Sequence, residues 1–182
     1  MYGQTEATAR MSYLPFEHSI TKLGSMGIAI PGGEFSLIDE NRNIIIKPER
    51  EGELVYKGKN VSMGYAVCRE DLARGDENNG ILVTGDLAKR DKDGFYYIVG
   101  RKKRFIKIYG HRMNLDETER ILKSIIPDCA CSGEDDLMEI YITQKDRTKE
   151  IRDFISKKTG INKAAFNVNV IAKIPINSSG KT

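Results

Sequence analysis

Residues 80–119 read GILVTGDLAKRDKDGFYYIVGRKKRFIKIYGHRMNLDETE, and this stretch contains the change from one kind of structure to another. Residues 81–86 are a short apolar run that we expect to end in a Gly-Asp turn, and residues 95–99 are a second strand-forming run. The sequence DKDG at 91–94 separates them. Two such runs around an Asp-Gly turn predict a pair of antiparallel strands.

The second half of the stretch predicts a different structure. We expect Gly100 to end the second strand, residues 105–109 to form another strand by their alternation, and residues 110–114 to form a turn. From residue 115 to 126 the apolar residues recur at helical spacing, and acidic residues come early. Asn114 is a suitable N-cap, and carboxylates favour the positive end of a helix. This part therefore predicts an amphipathic helix.

The basic run RKKR at 101–104 joins the two halves. Most runs of like charge face water, and a basic patch is also a footprint for nucleic acid. Here the run lies between two strands and follows a glycine, and Asp86, which could bind hydroxyl groups, lies upstream. This setting favours a ligand site over a plain charged surface.

Four motifs in this order carry a likeness to a known family. They are YGQTE at 2–6, GELVYKGKNVSMGYA at 52–66, the stretch from 84 to 119, and IPINSSGK at 174–181. Together they resemble the adenylate-forming ligase superfamily. It includes acyl- and aryl-CoA synthetases, adenylation domains of non-ribosomal peptide synthetases, and beetle luciferases. The likeness covers the whole chain.

The resemblance implies an α+β fold in two parts. Residues 1–100 would be the end of a large domain, with a β-rich, distorted-barrel subdomain whose turn-rich residues 20–66 read as a meander. Residues 101–182 would be a small, mobile α+β domain with its hinge near Lys103. In that domain the sequence predicts strands at 137–143 and 166–171, a helix at 148–158 ended by Gly160, and an acidic loop at 133–136.

Composition sets broad limits on the kind of protein. The chain has 182 residues, of which 40% are hydrophobic and 30% charged, enough for one large domain or two small ones. Its net charge of +3 is too small to indicate a nucleic-acid partner. The three cysteines suit neither a disulfide framework nor a zinc site, which favours the cytoplasm. The sequence has no apolar run of membrane-spanning length, so we expect no transmembrane segment.

The first motif would bind nucleotide, by resemblance. Tyr2 would lie near the adenine or the acyl-adenylate, Gly3 would allow close approach of the backbone, and Gln4 belongs to the same binding segment. Thr5 would contact the α-phosphate, and Glu6 would hold Mg²⁺. A hydroxyl can donate to phosphate, and a carboxylate is a hard oxygen ligand for Mg²⁺. The same residues could also begin a helix, with Gln4 or Thr5 near its N-cap.

The remaining site residues also follow from the resemblance. Asp86 would accept hydrogen bonds from the two ribose hydroxyls of ATP, and Arg101 would be a cationic donor near the ribose or a phosphate. Lys107 and Gly110 would face the active site when the thioester forms. Lys181 would be the catalytic lysine at the α-phosphate. Without the resemblance, Asp86 reads as a turn residue and Lys181 as part of a solvated tail.

The function implied is that of an AMP-forming acid–thiol ligase. Such an enzyme activates a small carboxylic acid with ATP and Mg²⁺ to acyl-AMP. It then transfers the acyl group to CoA or to the phosphopantetheine thiol of an acyl- or peptidyl-carrier protein. The family's Ser/Thr/Gly-rich phosphate loop has no match in this sequence, so we expect a C-terminal fragment that is inactive alone. The alternative is a folded, inactive fragment that serves as a binding or interaction module.

Overall fold

The computed structural model describes residues 1–175, and these form two compact units. The first is Met1–Lys102, and the second begins at Lys103. A short 3₁₀ turn, Lys102–Arg104, spans the boundary. The domain limits given above and the hinge at Lys103 stay predictions.

The first unit is built almost entirely of strands. These are β1 (Ser12–Tyr13), β2 (Ile28–Ala29), β3 (Gly33–Ile38), β4 (Glu51–Gly58), β5 (Ile81–Arg90) and β6 (Tyr96–Arg101). Two 3₁₀ turns, Phe16–His18 and Arg69–Ala73, complete it. Strands β3 to β6 form one antiparallel sheet in chain order, and β1 pairs with β2. A meander is therefore present, but it begins at Gly33 and continues to Arg101, well beyond the residues 20–66 for which the sequence predicts it.

One face of the four-stranded sheet carries the core of the first unit. On β4 the buried residues alternate with more exposed ones, as expected for a strand with one face covered. Leu54 and Tyr56 are fully buried there, and they pack with Phe35, Leu37 and Tyr96 from the neighbouring strands. The rings of Phe35 and Tyr56 lie with their centroids 5.3 Å apart. Ala88 and Leu82 of β5 pack against the same core, which fixes the position of that strand.

The expected Gly-Asp turn at the end of the 81–86 run is wrong. Strand β5 continues through Gly85 and Asp86 to Arg90. Gly85 has a φ of 71°, a value common in turns. In this structure the residue lies in a β-bulge within the strand. The expected break at Gly100 is wrong as well, since β6 continues to Arg101. Gly100 pairs with Leu87 of β5, whereas Gly85 has no register partner and lies in the bulge.

Over residues 103–175, the second unit has two small sheets and two α-helices. Its elements are β7 (Phe105–Ile108), β8 (His111–Asn114), α1 (Leu115–Leu122), β9 (Cys129–Glu134), β10 (Leu137–Ile142), α2 (Thr148–Thr159) and β11 (Phe166–Val170). Strands β7 and β8 form a hairpin, and the larger sheet has the order β11-β10-β9. Strand β11 is parallel to β10, so a crossover connection is required, and α2 supplies it.

The helix signals in the sequence are confirmed. The Asn114 side chain accepts hydrogen bonds from the backbone amides of Asp116 and Glu117, at 2.9 and 3.3 Å. Helix α1 ends at Leu122, earlier than expected, and Ile126 is still fully buried in the turn that follows. Helix α2 ends at Gly160, whose φ of 72° is the left-handed C-terminal conformation.

Two loop assignments in this unit are wrong. Residues 110–114 are not one turn, because only Tyr109 and Gly110 separate β7 from β8. The acidic loop is shorter than expected, since β9 extends to Glu134 and pairs with β10 along its full length. The sequence CACSGE of β9 has small and polar residues with weak strand preference. Pairing with the apolar β10 therefore decides its conformation.

The predicted α+β class is confirmed. The four-stranded sheet is open, and residues 1–175 contain no closed barrel. None of the helices within these residues is both long enough and apolar enough to cross a membrane.

Candidate functional site

The carboxylate of Asp86 is the centre of a hydrogen-bonded group in the first unit. Asp86 is only 5% exposed. Its Oδ2 accepts hydrogen bonds from the Tyr2 hydroxyl at 2.6 Å and from the Gln4 side-chain amide at 2.9 Å. A buried carboxylate is costly unless such donors satisfy it. The fold therefore brings three of the predicted site residues together.

A bulge in β5 directs Asp86 toward these donors. Glu53 pairs with Leu87 and Val55 pairs with Val83. Between these pairs β4 has one residue, Leu54, and β5 has three, residues 84–86. The Thr84 hydroxyl donates to the Leu54 carbonyl at 2.8 Å and accepts from the Asp86 amide at 3.2 Å. The threonine side chain thus replaces ladder hydrogen bonds that the bulge removes. Bulges commonly re-aim a side chain next to functional sites.

The side-chain amide of Gln4 has two N–H donors and lies within hydrogen-bond distance of three acceptors. Its Nε2 lies 2.9 Å from the Tyr2 hydroxyl, 3.0 Å from the Thr84 carbonyl and 2.9 Å from Asp86 Oδ2. The Thr84 carbonyl belongs to the bulge, so it depends on a partner outside the strand ladder. Gln4 therefore ties the start of the chain to both the bulge and the carboxylate.

Tyr2 stays protonated as a hydrogen-bond donor. Burial raises the pKa of its phenol, and the hydrogen bond to Asp86 raises it further. The ring packs edge-on against Phe35 with centroids 6.5 Å apart. The backbone of Tyr2 is also held, since its carbonyl accepts from the amides of Met11 and Ser12. The place of Tyr2 near adenine stays a prediction, whereas its hydroxyl is bonded to Asp86.

Arg101 lies opposite Asp86 on the neighbouring strand. The two residues are register partners of β6 and β5, and Arg101 Nε is 3.4 Å from Asp86 Oδ1. The Arg101 side chain is 67% exposed, so this ion pair is weak. The guanidinium therefore keeps most of its donors directed to solvent. That arrangement suits a cation that meets an anionic ligand.

Glu6 and Thr5 lie on a turn and not on a helix. The amides of Ala7 and Thr8 both donate to the Gln4 carbonyl, which makes one turn only, so the alternative of a helix start is wrong. The Tyr65 hydroxyl donates to Glu6 Oε1. This hydrogen bond lowers the pKa of Glu6, with a smaller contribution from the charge of Arg101. Glu6 is therefore an ionised carboxylate, and Thr5 is exposed beside it.

Gly3 is required by the chain itself. A Cβ at this position would lie 2.4 Å from the Ala9 carbonyl oxygen. The turn of residues 4–8 brings the backbone back against Gly3, so no larger residue fits. The close approach expected at Gly3 is thus made by the protein's own backbone.

Other predicted site residues belong to the second unit. Lys107 is exposed on β7, and Gly110 lies in the exposed turn that follows, with a φ of 81°. Lys103 is exposed at the start of the unit. Lys181 lies outside the described residues. The roles given to these residues stay predictions.

Comparison with known proteins gives a consistent family. A family model described as "AMP-binding enzyme" matches residues 1–66. The chain is 30% identical over 191 aligned residues to the 4-coumarate–CoA ligase-like 2 protein of Arabidopsis thaliana, covering 99% of this chain and 34% of the relative. It is 37% identical over 123 residues to a 2-succinylbenzoate–CoA ligase of Bacillus cereus (strain AH820), covering 68% of this chain and 25% of that enzyme.

Solved structures agree in both fold and extent. The o-succinylbenzoate CoA synthetase (MenE) of Bacillus subtilis, in complex with an acyl-adenylate intermediate, matches with a TM-score of 0.75 and 27% identity over 99% of this chain. McyG A-PCP in complex with phenylalanyl-adenylate matches with a TM-score of 0.72 and 26% identity over 98% of this chain. The chain belongs to the adenylate-forming ligase superfamily.

The chain spans about a third of these adenylate-forming ligases. It covers 38% of the B. subtilis synthetase and 31% of the McyG A-PCP chain. Further structures of that synthetase contain AMP, or ATP with a magnesium ion. Those ligands are properties of the relatives.

The Glu6 carboxylate is the kind of hard oxygen ligand that Mg²⁺ prefers, and its role as a metal ligand stays a prediction. No group of three or more His, Cys, Asp or Glu within residues 1–175 could hold a metal ion. Mg²⁺ is commonly bound by one or two carboxylates together with substrate phosphates and water. A single ionised carboxylate is therefore a sufficient protein contribution.

Two residues of the site were missed by sequence reasoning. Thr84 holds the bulge together, and Tyr65 donates to Glu6. Both lie inside motifs that identify an adenylate-forming ligase, TGD at 84–86 and GKNVSMGYA at 58–66. Their place in those motifs was the available signal, but their partners depend on the folded sheet.

Proposed function

We propose that the full-length protein is an AMP-forming acid–thiol ligase. It joins a carboxylic acid to the α-phosphate of ATP, releasing pyrophosphate and giving acyl-AMP. A thiol then attacks the acyl carbon, giving a thioester and releasing AMP. The observation that carries this proposal is the buried Asp86 carboxylate, held by Tyr2 and Gln4 next to the exposed Arg101.

The first unit supplies the nucleotide contacts in this proposal. Asp86 accepts hydrogen bonds from ribose hydroxyls, since a carboxylate has acceptor positions on two oxygens. Arg101 presents its guanidinium donors to the ribose or a phosphate, and Tyr2 lies beside the adenine or the acyl-adenylate. Gly3 and Gln4 shape the backbone of this segment, and Thr5 donates to the α-phosphate.

Charge on the phosphates is offset by two groups. Glu6 would hold Mg²⁺, which would supply positive charge to the phosphates. The hydrogen bond from the Tyr65 hydroxyl lowers the pKa of Glu6, so the carboxylate stays ionised to a lower pH than usual. The ammonium group of Lys181 donates hydrogen bonds to the substrate carboxylate and to the α-phosphate, and it offsets the negative charge that develops there.

The second half-reaction uses residues of the second unit. Rotation about Lys103 withdraws Lys181 and presents the β7–β8 hairpin, since a hinge needs only a few residues that absorb a backbone change. Gly110 has no atom within 4 Å of an added Cβ, which supports a role in leaving room for a pantetheine arm. Lys107 binds a phosphate of the thiol substrate.

The acid and the acceptor are proposed as classes. The named ligases among the relatives act on 2-succinylbenzoate or are 4-coumarate ligase-like, which supports an aryl-bearing acid ahead of a fatty or an amino acid. The same names support CoA as acceptor, and the McyG match keeps a carrier-protein thiol as the second choice. The three free cysteines support a cytoplasmic protein.

The test is acid-dependent pyrophosphate release from ATP by the full-length protein. We expect release with one class among aryl, fatty and amino acids, and acyl-CoA formation when CoA is added. Thioester formation only with a carrier protein would change the acceptor and keep the ligase. No release with any acid would refute the ligase and favour the alternative of a folded binding module.

A steep loss of oligonucleotide binding with added salt would reveal a separate role for the RKKR run. We expect no such binding, because Lys102 pairs with Glu53 and Arg104 pairs with Asp116 and Glu119.

A further inference from the structure

The β7–β8 hairpin has three features that oppose its own conformation. An isolated two-stranded hairpin is marginally stable in water. Lys107 and Arg112 are directly opposite each other, and like charges in such positions are destabilising. Tyr109 has a φ of 49°, which is unfavourable for a bulky residue. The hairpin therefore needs support from outside its two strands.

The conformation at the tip is unusual for this sequence. Tyr109 and Gly110 are the two loop residues, and both have a positive φ, at 49° and 81°. Positive φ at both central residues is the pattern of a type I′ turn, which favours Asn-Gly or Asp-Gly. Glycine adopts a positive φ without strain, whereas a tyrosine such as Tyr109 does so at an energetic cost. The Tyr109 side chain is 56% exposed, so packing does not explain its conformation.

The side chains of Ile106 and Ile108 anchor β7 in the core of the second unit, and a short acidic turn supports the backbone edge of the same strand. Asp135 and Asp136 connect β9 to β10, and they lie along the edge of β7 that does not pair with β8. Asp136 Oδ1 accepts from the Tyr109 amide at 2.7 Å, and Asp135 Oδ1 accepts from the Lys107 amide at 2.8 Å. The Asp136 amide donates to the Lys107 carbonyl at 2.6 Å. Carboxylates thus stand where a third strand would pair.

We propose that Asp135 and Asp136 are positioning residues for thioester formation, acting through the β7–β8 hairpin. This rests on the proposed function, in which Gly110 and Lys107 meet the thiol substrate. Asp136 keeps Tyr109 in its left-handed conformation, which fixes the position of Gly110. Asp135 fixes the backbone that carries Lys107. Strained residues held by their surroundings are typical of functional sites.

The test compares two half-reactions in the full-length protein carrying Asp136→Ala. Hydrogen bonds to charged groups contribute ~1.5–3 kcal/mol, so losing one weakens the hairpin by about tenfold or more. We expect thioester formation from supplied acyl-adenylate and CoA to fall about tenfold, and acid-dependent pyrophosphate release to change less than twofold. Asp136→Asn keeps an acceptor oxygen and also tolerates the φ of 68° at this position, so it should restore most of the thioester rate.

Hydrogen exchange in residues 105–114 of the same samples measures the support directly. Asp136→Ala should speed exchange there by about tenfold, and Tyr109→Asn added to it should slow exchange again, because Asn-Gly favours the turn by itself. Glu134→Ala is the matched control, since it removes a neighbouring acid and leaves both amides bonded. It should leave exchange and both half-reactions unchanged.

Two results would overturn the proposal. One is unchanged exchange at the hairpin in Asp136→Ala. The other is an equal loss of pyrophosphate release and thioester formation, which would indicate general damage. If the unaltered protein releases no pyrophosphate with any acid, the proposed function fails instead. In that case the exchange rates still decide whether the acidic turn holds the hairpin.

Discussion

The amide of Gln4 provides the sharpest test of the site. Gln4→Met keeps the approximate size of the side chain and removes its hydrogen-bond donors. The change leaves the Thr84 carbonyl without its side-chain partner, and leaves Asp86 Oδ2 with Tyr2 as its remaining donor. The effect should therefore appear in β5, where both acceptors lie.

The size of the effect follows from the bonds removed. A hydrogen bond to a charged group contributes ~1.5–3 kcal/mol, and one between neutral groups ~1 kcal/mol. Gln4 is half-buried, and Tyr2 retains one bond to Asp86, so the full sum does not apply. We expect a loss of about 2 kcal/mol, which is a ~30-fold change in an opening equilibrium.

Native-state hydrogen exchange in low urea measures this loss locally. Exchange in residues 81–90 should become ~30-fold faster in Gln4→Met. Exchange in α2, which belongs to the other unit, should stay the same. The matched control is Gln144→Met, because Gln144 is exposed and its side chain makes no capping hydrogen bond.

Gln4→Ala adds an internal check. The smaller side chain leaves space for water, which can bridge the Thr84 carbonyl and the carboxylate. Exchange should therefore be slower in Gln4→Ala than in Gln4→Met, although more of the side chain is removed. Exchange in 81–90 that is as slow in Gln4→Met as in the unaltered protein would refute the role given to Gln4. So would an equal effect of Gln144→Met.

Three further predictions follow. In the full-length protein, Lys181→Ala should abolish pyrophosphate release and spare thioester formation from supplied acyl-AMP; equal loss of both would contradict its role. Tyr65→Phe should raise the pKa of Glu6 toward its usual value, read by NMR titration of the side-chain carboxyl carbon. Because the folded pKa of Glu6 is the lower one, this bond stabilises the fold at neutral pH. Its contribution is lost as the pH falls through that pKa. A thiol reagent at pH 8 should label Cys68 alone, since burial raises the pKa of the other two thiols; labelling of all three without denaturant would contradict this.

Local signals predicted much of the fold. Asn114 before an acidic first turn marks the start of α1, and Gly160 marks the end of α2. In each case the deciding contact lies within a few residues along the chain. Strands β8 and β9 could not be predicted, because they have weak strand preference of their own. Each is a strand because it pairs with an apolar neighbour, β7 or β10.

The site shows the same division. Family motifs indicated Tyr2, Gln4, Asp86 and Arg101, but no motif states which atom bonds to which. Tyr2 meets Asp86 across a separation of 84 residues, and the contact needs the β5 bulge. The bulge is a shift in the register between β4 and β5. It depends on both strands and cannot be read from one of them. The Gly-Asp pair within VTGDL is typical of a turn, so the local sequence predicts a turn where the structure has a strand with a bulge.

The carboxylate of Asp86 also has less free capacity than its residue type implies. Each carboxylate oxygen has about two acceptor positions, and Tyr2 and Gln4 occupy those of Oδ2. A ribose that bonds both oxygens has to displace one of these buried donors. A ribose that places both of its hydroxyls on Oδ1 has to displace only Arg101, whose 3.4 Å contact is weak and whose side chain is exposed. Nucleotide binding through Oδ1 would therefore release Arg101 from Asp86 and leave its guanidinium free for a phosphate.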